Sequence, residues 1–184
     1  MSNAKRLVLA SLIMVVVPAC GGSDREYRVP DNLCGISVKP DTVKPFLPGG
    51  KELHENDHLQ WKKKSGGSCR LSVDGEEELH VDGSWAVRST LKARGYDTDH
   101  GTRLLGGRYY LGPRRASAYF PCFNPEARLG APPKDGKPRT VPADTYIVEV
   151  ESRHVPEDGA ESKKAMKRFI VPFAEAVKEQ APCR

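Results

Sequence analysis

The residues with the clearest potential for chemistry are two histidines on either side of a glutamate. His54-Glu55-Asn56-Asp57-His58 has the spacing H-E-x-x-H. On a helix, His54 and His58 would lie one turn apart and ligate zinc, with Glu55 as the general base. The neighbouring residues are mostly polar, whereas such a helix is normally packed in an apolar core. A zinc-dependent hydrolase is therefore the alternative, and a solvated strand or loop is the preferred interpretation.

No other pattern in the sequence supplies a catalytic group. The chain has no G-x-S-x-G elbow and no Walker loop, the two strings that would indicate a serine hydrolase or a nucleotide phosphate site. We therefore expect a non-enzymatic protein without a cofactor and without a dedicated metal site, although the pair His54 and His58 could bind metal incidentally.

Arginines in the middle third of the chain are the strongest indication of a binding surface. They are Arg88, Arg94, Arg103, Arg108, Arg114 and Arg115. If Arg108 and Arg114 project from adjacent strands beside Tyr109, Tyr110 or Tyr119, they would form an anion-binding patch. Tyr109 is the favoured tyrosine. The alternative is a solvated sheet face whose charge is balanced by nearby acids.

An apolar run that ends on a cysteine predicts export of the chain. Lys5 and Arg6 precede the aliphatic run 7–17, and small residues lead from it to Cys20. As a helix, the run would reach about 16 Å, well short of the roughly 30 Å hydrocarbon layer of a bilayer. A signal peptide over residues 1–19 is therefore favoured over a spanning helix.

The placement of Cys20 resembles the lipobox of bacterial lipoproteins. Pro18 departs from that pattern, which usually has a small or aliphatic residue there. The resemblance implies that the Cys20 sulfur carries a diacylglyceryl group and becomes the mature N-terminus. It predicts a protein anchored by lipid at the outer face of the cytoplasmic membrane, with residues 20–28 as the lipidated N-terminus and tether.

The remaining four cysteines predict two disulfides. Cys34, Cys69, Cys122 and Cys183 are an even number in an oxidising compartment. A zinc site is disfavoured because no two of them are two to four residues apart. Of the three possible pairings, Cys34–Cys69 with Cys122–Cys183 is favoured because each bridge then stays within one half of the chain.

Length and charge limit the class of protein. Removal of residues 1–19 takes away Lys5 and Arg6 and no acid, so the net charge of +5 falls by two, to +3. This mild charge is not typical of a nucleic-acid-binding protein. The 165 residues that remain suit one domain, which we place at residues 29–184.

The patterns of apolar residues predict an α+β fold. A short N-terminal helix is expected over Pro40–Leu47, with Asp41 as its cap, and several short antiparallel strands follow. Tyr146, Val148 and Val150 alternate with acids in the clearest strand. The C-terminal helix has an apolar stripe from Met166 to Val177, and a kink or a second segment is expected at Pro172.

Turn residues divide the middle of the chain into short strands. Asp74-Gly75 predicts a hairpin turn, and separate strands are expected at Leu79–Val81 and Trp85–Arg88. Gly106-Gly107 predicts a second hairpin turn.

Taken together, these pieces resemble lipoproteins of unknown function from high-GC Gram-positive (actinobacterial) bacteria. The matching residues are Leu33-Cys34-Gly35, Phe46-Leu47, the strand from Cys69 to Val73, the strand end Tyr119-Phe120-Pro121-Cys122, and Cys183 after the closing helix. The resemblance supports the favoured pairing of cysteines and an antiparallel sheet with two helices packed on it. It implies no catalytic residues.

The expected function is that of a binding or interaction module held at the membrane by the lipid on Cys20. The expected partner is an envelope protein or an anionic wall polymer, and nucleic acid is not expected. A ligand-sensing domain is a further alternative. The sequence leaves the ligand and the oligomeric state open.

Overall fold

The structure, a computed structural model, describes residues 24–57, 66–127, 129 and 142–184. The strands are β1 (Asn32–Leu33), β2 (Ile36–Ser37), β3 (Leu53–Asp57), β4 (Gly67–Val73), β5 (Glu76–Ala86), β6 (Thr102–Leu104), β7 (Gly107–Leu111), β8 (Arg115–Asn124) and β9 (Ala143–Ser152). The helices are α1 (Pro40–Val43) and α2 (Gly159–Gln180), and 3-10 turns occupy Lys44–Phe46, Arg88–Thr90 and Lys92–Arg94.

Seven of the strands form one antiparallel sheet in the order β3-β4-β5-β9-β8-β7-β6. β1 and β2 form a separate two-stranded ribbon. α2 lies against the sheet, mainly over β8, and also touches α1 and β2. The predicted α+β fold, with a short N-terminal and a long C-terminal helix on an antiparallel sheet, is confirmed.

One face of the sheet, here called the inner face, forms the core with α2. Tyr146, Val148 and Val150 of β9 are buried on it, whereas Glu149 and Glu151 are exposed on the opposite, outer face, as strand alternation requires. The predicted helix stripe is also buried; it consists of Met166, Phe169, Ile170, Phe173 and Val177. Each such side chain contributes about 1.5–3 kcal/mol on burial.

The second segment, one of the two outcomes predicted at Pro172, is wrong: α2 continues through Pro172 as one helix. Pro172 is exposed and has no N–H, so the carbonyl four residues before it loses its usual donor but lies near solvent. The buried aromatic residues on either side of Pro172 hold the two halves of the helix in place. Phe169 and Phe173 stack at 5.1 Å, and Phe46 meets Phe169 edge-on at 5.8 Å. The helix start is fixed by Asp158, which accepts the N–H groups of Ala160 and Glu161.

Several local boundaries differ from the predictions. Asp41 lies in the first turn of α1 and is not its cap, because Pro40 already occupies the first turn and Lys39 is the N-cap without a side-chain bond. Two short strands expected around Val81 and Trp85 are one long strand, β5. The Asp74-Gly75 hairpin turn is confirmed, and both residues have positive φ (51° and 88°), as such turns require.

Both predicted disulfides are formed. Cys34 and Cys69 have Cα atoms 6.1 Å apart and join the turn after β1 to β4. Cys122 and Cys183 have Cα atoms 4.7 Å apart and join β8 to the residues that follow α2. Within the described part of the chain, no helix has the length and apolar character needed to cross a membrane.

The segment predicted to be part of a tether is attached to the domain from Asp24 onward. Arg25 forms a β-bridge with Gly50, and its guanidinium donates to the carbonyls of Lys44, Leu47 and Pro48. The Tyr27 hydroxyl donates to the Pro48 carbonyl as well. Residues 25–27 of the predicted tether therefore bond to the segment 44–50 of the domain.

Candidate functional site

The H-E-x-x-H string does not form a helix over its described residues. His54 and Glu55 lie on β3, one of the two edge strands of the sheet, where consecutive side chains point to opposite faces. His54 is exposed, with its Nε2 atom 3.3 Å from a carboxylate oxygen of Glu52. Glu55 accepts the backbone N–H of Cys34 at 3.2 Å. His58 lies outside the described residues.

One group of three possible metal ligands occurs in the described ranges: Cys34, Glu55 and Cys69. Their sulfur and carboxylate oxygen atoms lie within 4.8 Å of one another. The two sulfurs are bonded to each other, whereas metal binding requires the thiolates. In this disulfide-bonded state the group is a structural link between β3, β4 and the turn after β1.

The predicted patch of Arg108, Arg114 and Tyr109 does not come together. Arg108 and Tyr109 are consecutive in β7, so they face opposite sides of the sheet, and Tyr109 is 5% exposed in the core. Arg114 lies beyond the other end of β7 and donates to the Arg153 carbonyl at 2.7 Å. The prediction failed because it grouped residues by closeness in sequence and ignored strand alternation.

The structure instead places Arg108 with two other arginines around a cavity of about 390 Å³. We call it the arginine pocket; its lining residues are Arg88, Arg103, Leu104, Leu105, Gly106, Gly107, Arg108 and Tyr119. It opens on the outer face, beside the turn between β6 and β7. Arg88 and Arg103 are exposed, and Arg108 is half-buried.

The register of the β6–β7 hairpin brings two of the arginines together. Arg103 is directly opposite Arg108, and Arg108 is opposite Tyr119 of β8. Like charges in directly opposite positions destabilise a sheet. The third arginine, Arg88, begins a 3-10 turn, and its backbone N–H donates to the Asp144 carboxylate at 2.6 Å.

Gly107 allows the hairpin to approach β8 closely. A Cβ atom at this position would lie 1.8 Å from the Tyr119 carbonyl oxygen. Only glycine therefore fits at this wall of the arginine pocket, and Tyr119 itself is buried beneath the arginines.

Among the described residues, none of the three guanidinium groups that line the arginine pocket forms an ion pair with an acid. The Arg108 guanidinium donates to the Gly101 carbonyl at 2.9 Å, which leaves other N–H groups of its fork available. Guanidinium groups bind carboxylate and phosphate oxygens with paired hydrogen bonds. The pocket thus has the chemistry of an anion site.

Segment 87–101 crosses the outer face and separates the arginine pocket from a second cavity. Leu91 is buried in this segment and packs with Ala86, Tyr119 and Ile147. The Tyr110 hydroxyl donates to the His100 carbonyl at 2.5 Å. These contacts hold the segment against the sheet.

The second cavity, of about 560 Å³, has a different charge pattern. We call it the tyrosine groove because Tyr96 and Tyr110 form one side of it; it is also lined by acids and bases of β5, β8 and β9. Burial, and to a smaller extent a hydrogen bond to Glu149, raises the pKa of Tyr96 above its ordinary value. Burial also raises the pKa of Tyr110. Both phenols are therefore neutral donors at physiological pH.

The tyrosine groove contains an internal ion pair and further acids. Arg115 meets Glu151 at 2.7 Å. Asp82 and Glu149 also line the groove, and their carboxylates repel an anion. For an anionic ligand, the tyrosine groove is therefore a weaker candidate than the arginine pocket.

The sequence predicted Arg108 as part of a binding surface, but not Arg88 and Arg103 as its neighbours. One signal was available: a turn at Leu105-Gly106 makes Leu104 pair with Gly107, and therefore Arg103 pair with Arg108. The turn predicted at Gly106-Gly107 is one residue too late. Arg88 reaches the pocket only through the path of segment 87–101, which no local pattern specifies.

Comparisons of this chain with protein-family models, with curated proteins and with solved structures find no match. The resemblance to actinobacterial lipoproteins therefore remains a prediction, and the functional argument depends on the geometry alone.

Proposed function

We propose that this protein is a lipid-anchored extracytoplasmic module that binds an anionic ligand in the arginine pocket. The observation that carries the proposal is the convergence of Arg88, Arg103 and Arg108 on one cavity, with no ion pair to any carboxylate of the described chain. The ligand class is a phosphate- or carboxylate-bearing molecule of the cell envelope, such as an anionic wall polymer.

The energetic cost of the cluster supports this proposal. Three like charges around one cavity repel each other, and two of them are direct cross-strand neighbours. An anion that bridges them would replace this repulsion with charge-assisted hydrogen bonds, which contribute about 1.5–3 kcal/mol each where they are shielded from water. Because Arg88 and Arg103 are exposed, solvent screening lowers their contributions below that range, to about 1 kcal/mol or less each.

The proposed location is supported by the sequence before Asp24 and by the two disulfides. The apolar run 7–17 and Cys20 fit an exported, lipidated chain. Disulfides persist mainly in oxidising compartments, and this fold uses all of its remaining cysteines in two bridges.

Calorimetric titration of the detergent-solubilised full chain with a soluble polyphosphate tests the ligand class, and polyglutamate provides the carboxylate comparison. We expect Arg103→Gln to weaken binding about fivefold, which corresponds to about 1 kcal/mol. The affinity should also fall as salt is added, because the contact is electrostatic.

Arg168→Gln is the matched control. Arg168 is an exposed arginine of α2, so its substitution changes the net charge equally but leaves the arginine pocket unchanged. Equal loss of affinity in the two variants would show nonspecific attraction to a basic protein and would contradict the proposed site.

A further inference from the structure

The Cys34–Cys69 bridge lies against the carboxylate of Glu55, and the three side chains together have the chemistry of a metal site. We infer that, whenever this bridge is open, Cys34, Cys69 and Glu55 bind one zinc ion, which then links the turn after β1 to β4 in place of the disulfide. The site lies on the β3 side of the sheet, away from the arginine pocket, and it goes beyond the proposed function.

The donor atoms match a zinc site in kind and in spacing. The two sulfurs and a carboxylate oxygen of Glu55 lie within 4.8 Å of one another. Zn–S bonds of about 2.3 Å at a tetrahedral ion hold two sulfurs about 3.8 Å apart, which fits between Cα atoms that are 6.1 Å apart. A carboxylate oxygen is a usual further ligand, and three protein ligands leave the fourth position for water.

Strand register places the carboxylate beside both cysteines. Glu55 of β3 is opposite Leu71 of β4, and Cys69 precedes Leu71 by two residues, so Glu55 and Cys69 are on the same face of the sheet. Cys34 approaches from the two-stranded ribbon and donates its backbone N–H to the Glu55 carboxylate at 3.2 Å. Cys34 and Cys69 are buried whereas Glu55 is exposed, so an ion would enter from the Glu55 side.

The turn that carries Cys34 has contacts that do not depend on the bridge. The Asn32 side chain accepts the N–H of Gly35 at 2.8 Å, and the Gln180 side chain of α2 donates to the Gly35 carbonyl at 3.2 Å. Leu33 and Ile36, on either side of the turn, are buried in the core. We therefore expect the turn, and with it the Cys34 sulfur, to stay beside β4 after the S–S bond is broken.

The open form of the bridge arises in two ways. Each chain carries thiols before its bridges form, and a dithiol reductant regenerates them by thiol–disulfide exchange. In this exchange the dithiol is oxidised to its own disulfide, and its two electrons and two protons pass to the sulfurs of Cys34 and Cys69. Zinc binds those sulfurs as thiolates, so its binding releases the two protons to solvent.

The second bridge provides a comparison within the same molecule. In the ranges that the structure describes, Cys122 and Cys183 belong to no group of three possible metal ligands. Reduction of that bridge therefore gives a pair of thiols without a third ligand beside it, and we expect no tight zinc site there.

Metal titration of the reduced full chain tests the inference. The detergent-solubilised chain is reduced with a phosphine under argon and titrated with Co²⁺, whose bonds to thiolates give a charge-transfer absorption in the near ultraviolet. We expect one equivalent to bind with this absorption, Zn²⁺ to displace it, and the oxidised chain to show no such absorption. A reduced chain that takes up no metal would overturn the inference.

Two pairs of variants locate the metal. Loss of an outer-shell partner alone weakens metal binding by roughly ten- to a hundredfold, so Glu55→Gln should weaken it at least about tenfold. Glu52→Gln, at an exposed carboxylate near β3, should leave it unchanged. Cys34→Ser should abolish the charge-transfer absorption, and Cys122→Ser should not. Equal effects within either pair would contradict the site, because an unfolded reduced chain would bind metal alike through all of its thiols.

His54→Ala separates this site from the H-E-x-x-H string. His54 faces the opposite side of β3 from Glu55, so its substitution should leave the Co²⁺ titration unchanged. Loss of uptake in this variant would assign the metal to the histidine string and would refute the cysteine site. Polyphosphate binding by the oxidised chain depends on the arginine pocket alone, so failure of the zinc site and failure of the proposed function are distinguishable.

Discussion

Asp74 shows how one side chain can hold two parts of the chain together. Its carboxylate accepts the backbone N–H groups of Lys51 and Glu52 at 3.0 and 2.9 Å, while its own backbone makes the left-handed turn between β4 and β5. The bonds from Glu52 and then Lys51 lower the pKa of Asp74 from its ordinary value of 3.8. The ionised form is therefore favoured by folding.

This shift predicts a pH-dependent effect of Asp74→Asn, which keeps the turn and an acceptor oxygen but removes the charge. A lowered folded-state pKa stabilises the fold above the unfolded value, and the benefit is lost as the pH falls through the folded value. The wild type should therefore exceed the variant in free energy of unfolding at pH 6, and the difference should shrink at pH 3. Urea unfolding at both pH values measures it.

Ser89→Ala serves as the control for this experiment. Ser89 is exposed and its substitution changes no ionisable group, so the difference from the wild type should be the same at both pH values. If Asp74→Asn lowers the free energy of unfolding by the same amount at pH 3 and at pH 6, the hydrogen-bond geometry of residue 74, and not the ionisation of its carboxyl, accounts for the loss of stability.

At the scale of elements, the β6–β7 hairpin forms the arginine pocket. Its turn uses Leu105 at φ 54° and Gly106 at φ 83°, and Gly107 follows in contact with the backbone of β8. Lys178 of α2 donates to the Leu105 carbonyl at 3.1 Å and so fixes the turn from the core side. The arginines thus depend on a hairpin that is held by β8 and by α2.

Gly107→Ala should destabilise the protein by about 1–3 kcal/mol, because the added methyl would force the hairpin away from Tyr119. The same change should weaken anion binding, since Arg103 and Arg108 move with the hairpin. Urea unfolding and the polyphosphate titration measure the two effects.

The matched change is Gly159→Ala at the start of α2, where an added Cβ meets nothing within 4 Å. It should be neutral or slightly stabilising. Equal stability of the two variants would mean that the β7–β8 contact is looser than the structure indicates.

The sequence predicts a strand or a helix correctly where the spacing of its apolar side chains alone determines the element. The alternation in β9 and the stripe of α2 each place apolar residues on one face, so burial follows from period 2 and period 3.6. The Asp74-Gly75 turn has a local cause as well, because both residues tolerate positive φ. These three features, with the even number of cysteines, were sufficient for the fold class.

The features that were missed depend on contacts between distant residues. β5 is one long strand because β9 pairs with it from Leu79 to Ala86, although Gly83 and Ser84 locally suggest a break. α2 passes through Pro172 because its buried aromatics outweigh one lost hydrogen bond. Likewise, Arg88 joins Arg103 and Arg108 only after segment 87–101 has folded across the outer face.

At the scale of the whole molecule, the two disulfides connect the sheet to the chain on both sides of it. Cys34–Cys69 spans 35 residues and attaches the N-terminal ribbon to β4, whereas Cys122–Cys183 spans 61 residues and attaches the end of α2 to β8. The Arg184 N–H donates to the Phe123 carbonyl at 2.9 Å next to the second bridge. The C-terminus is therefore held by both a covalent and a backbone contact.

Removal of the second bridge by Cys122→Ser with Cys183→Ser should lower the free energy of unfolding by up to about 4 kcal/mol, as loop-closure entropy predicts. Hydrogen exchange should also accelerate at the C-terminal end of α2, because that end loses its covalent link to β8. Urea unfolding and hydrogen exchange of the double variant are the measurements. A loss below about 1 kcal/mol, with unchanged exchange, would show that packing of the α2 stripe fixes this end without the bridge.

The polar strand β3 has a consequence for crowded membranes. Among the described strands, β3 pairs with β4 alone, and its sequence includes His54, Glu55 and Asn56. Exposed edge strands invite pairing with another copy, and charged residues discourage it. Lipid anchoring would confine many copies to two dimensions and raise their collision frequency. The polar residues of the H-E-x-x-H string that lie on β3 thus oppose edge-to-edge pairing between the sheets of neighbouring copies.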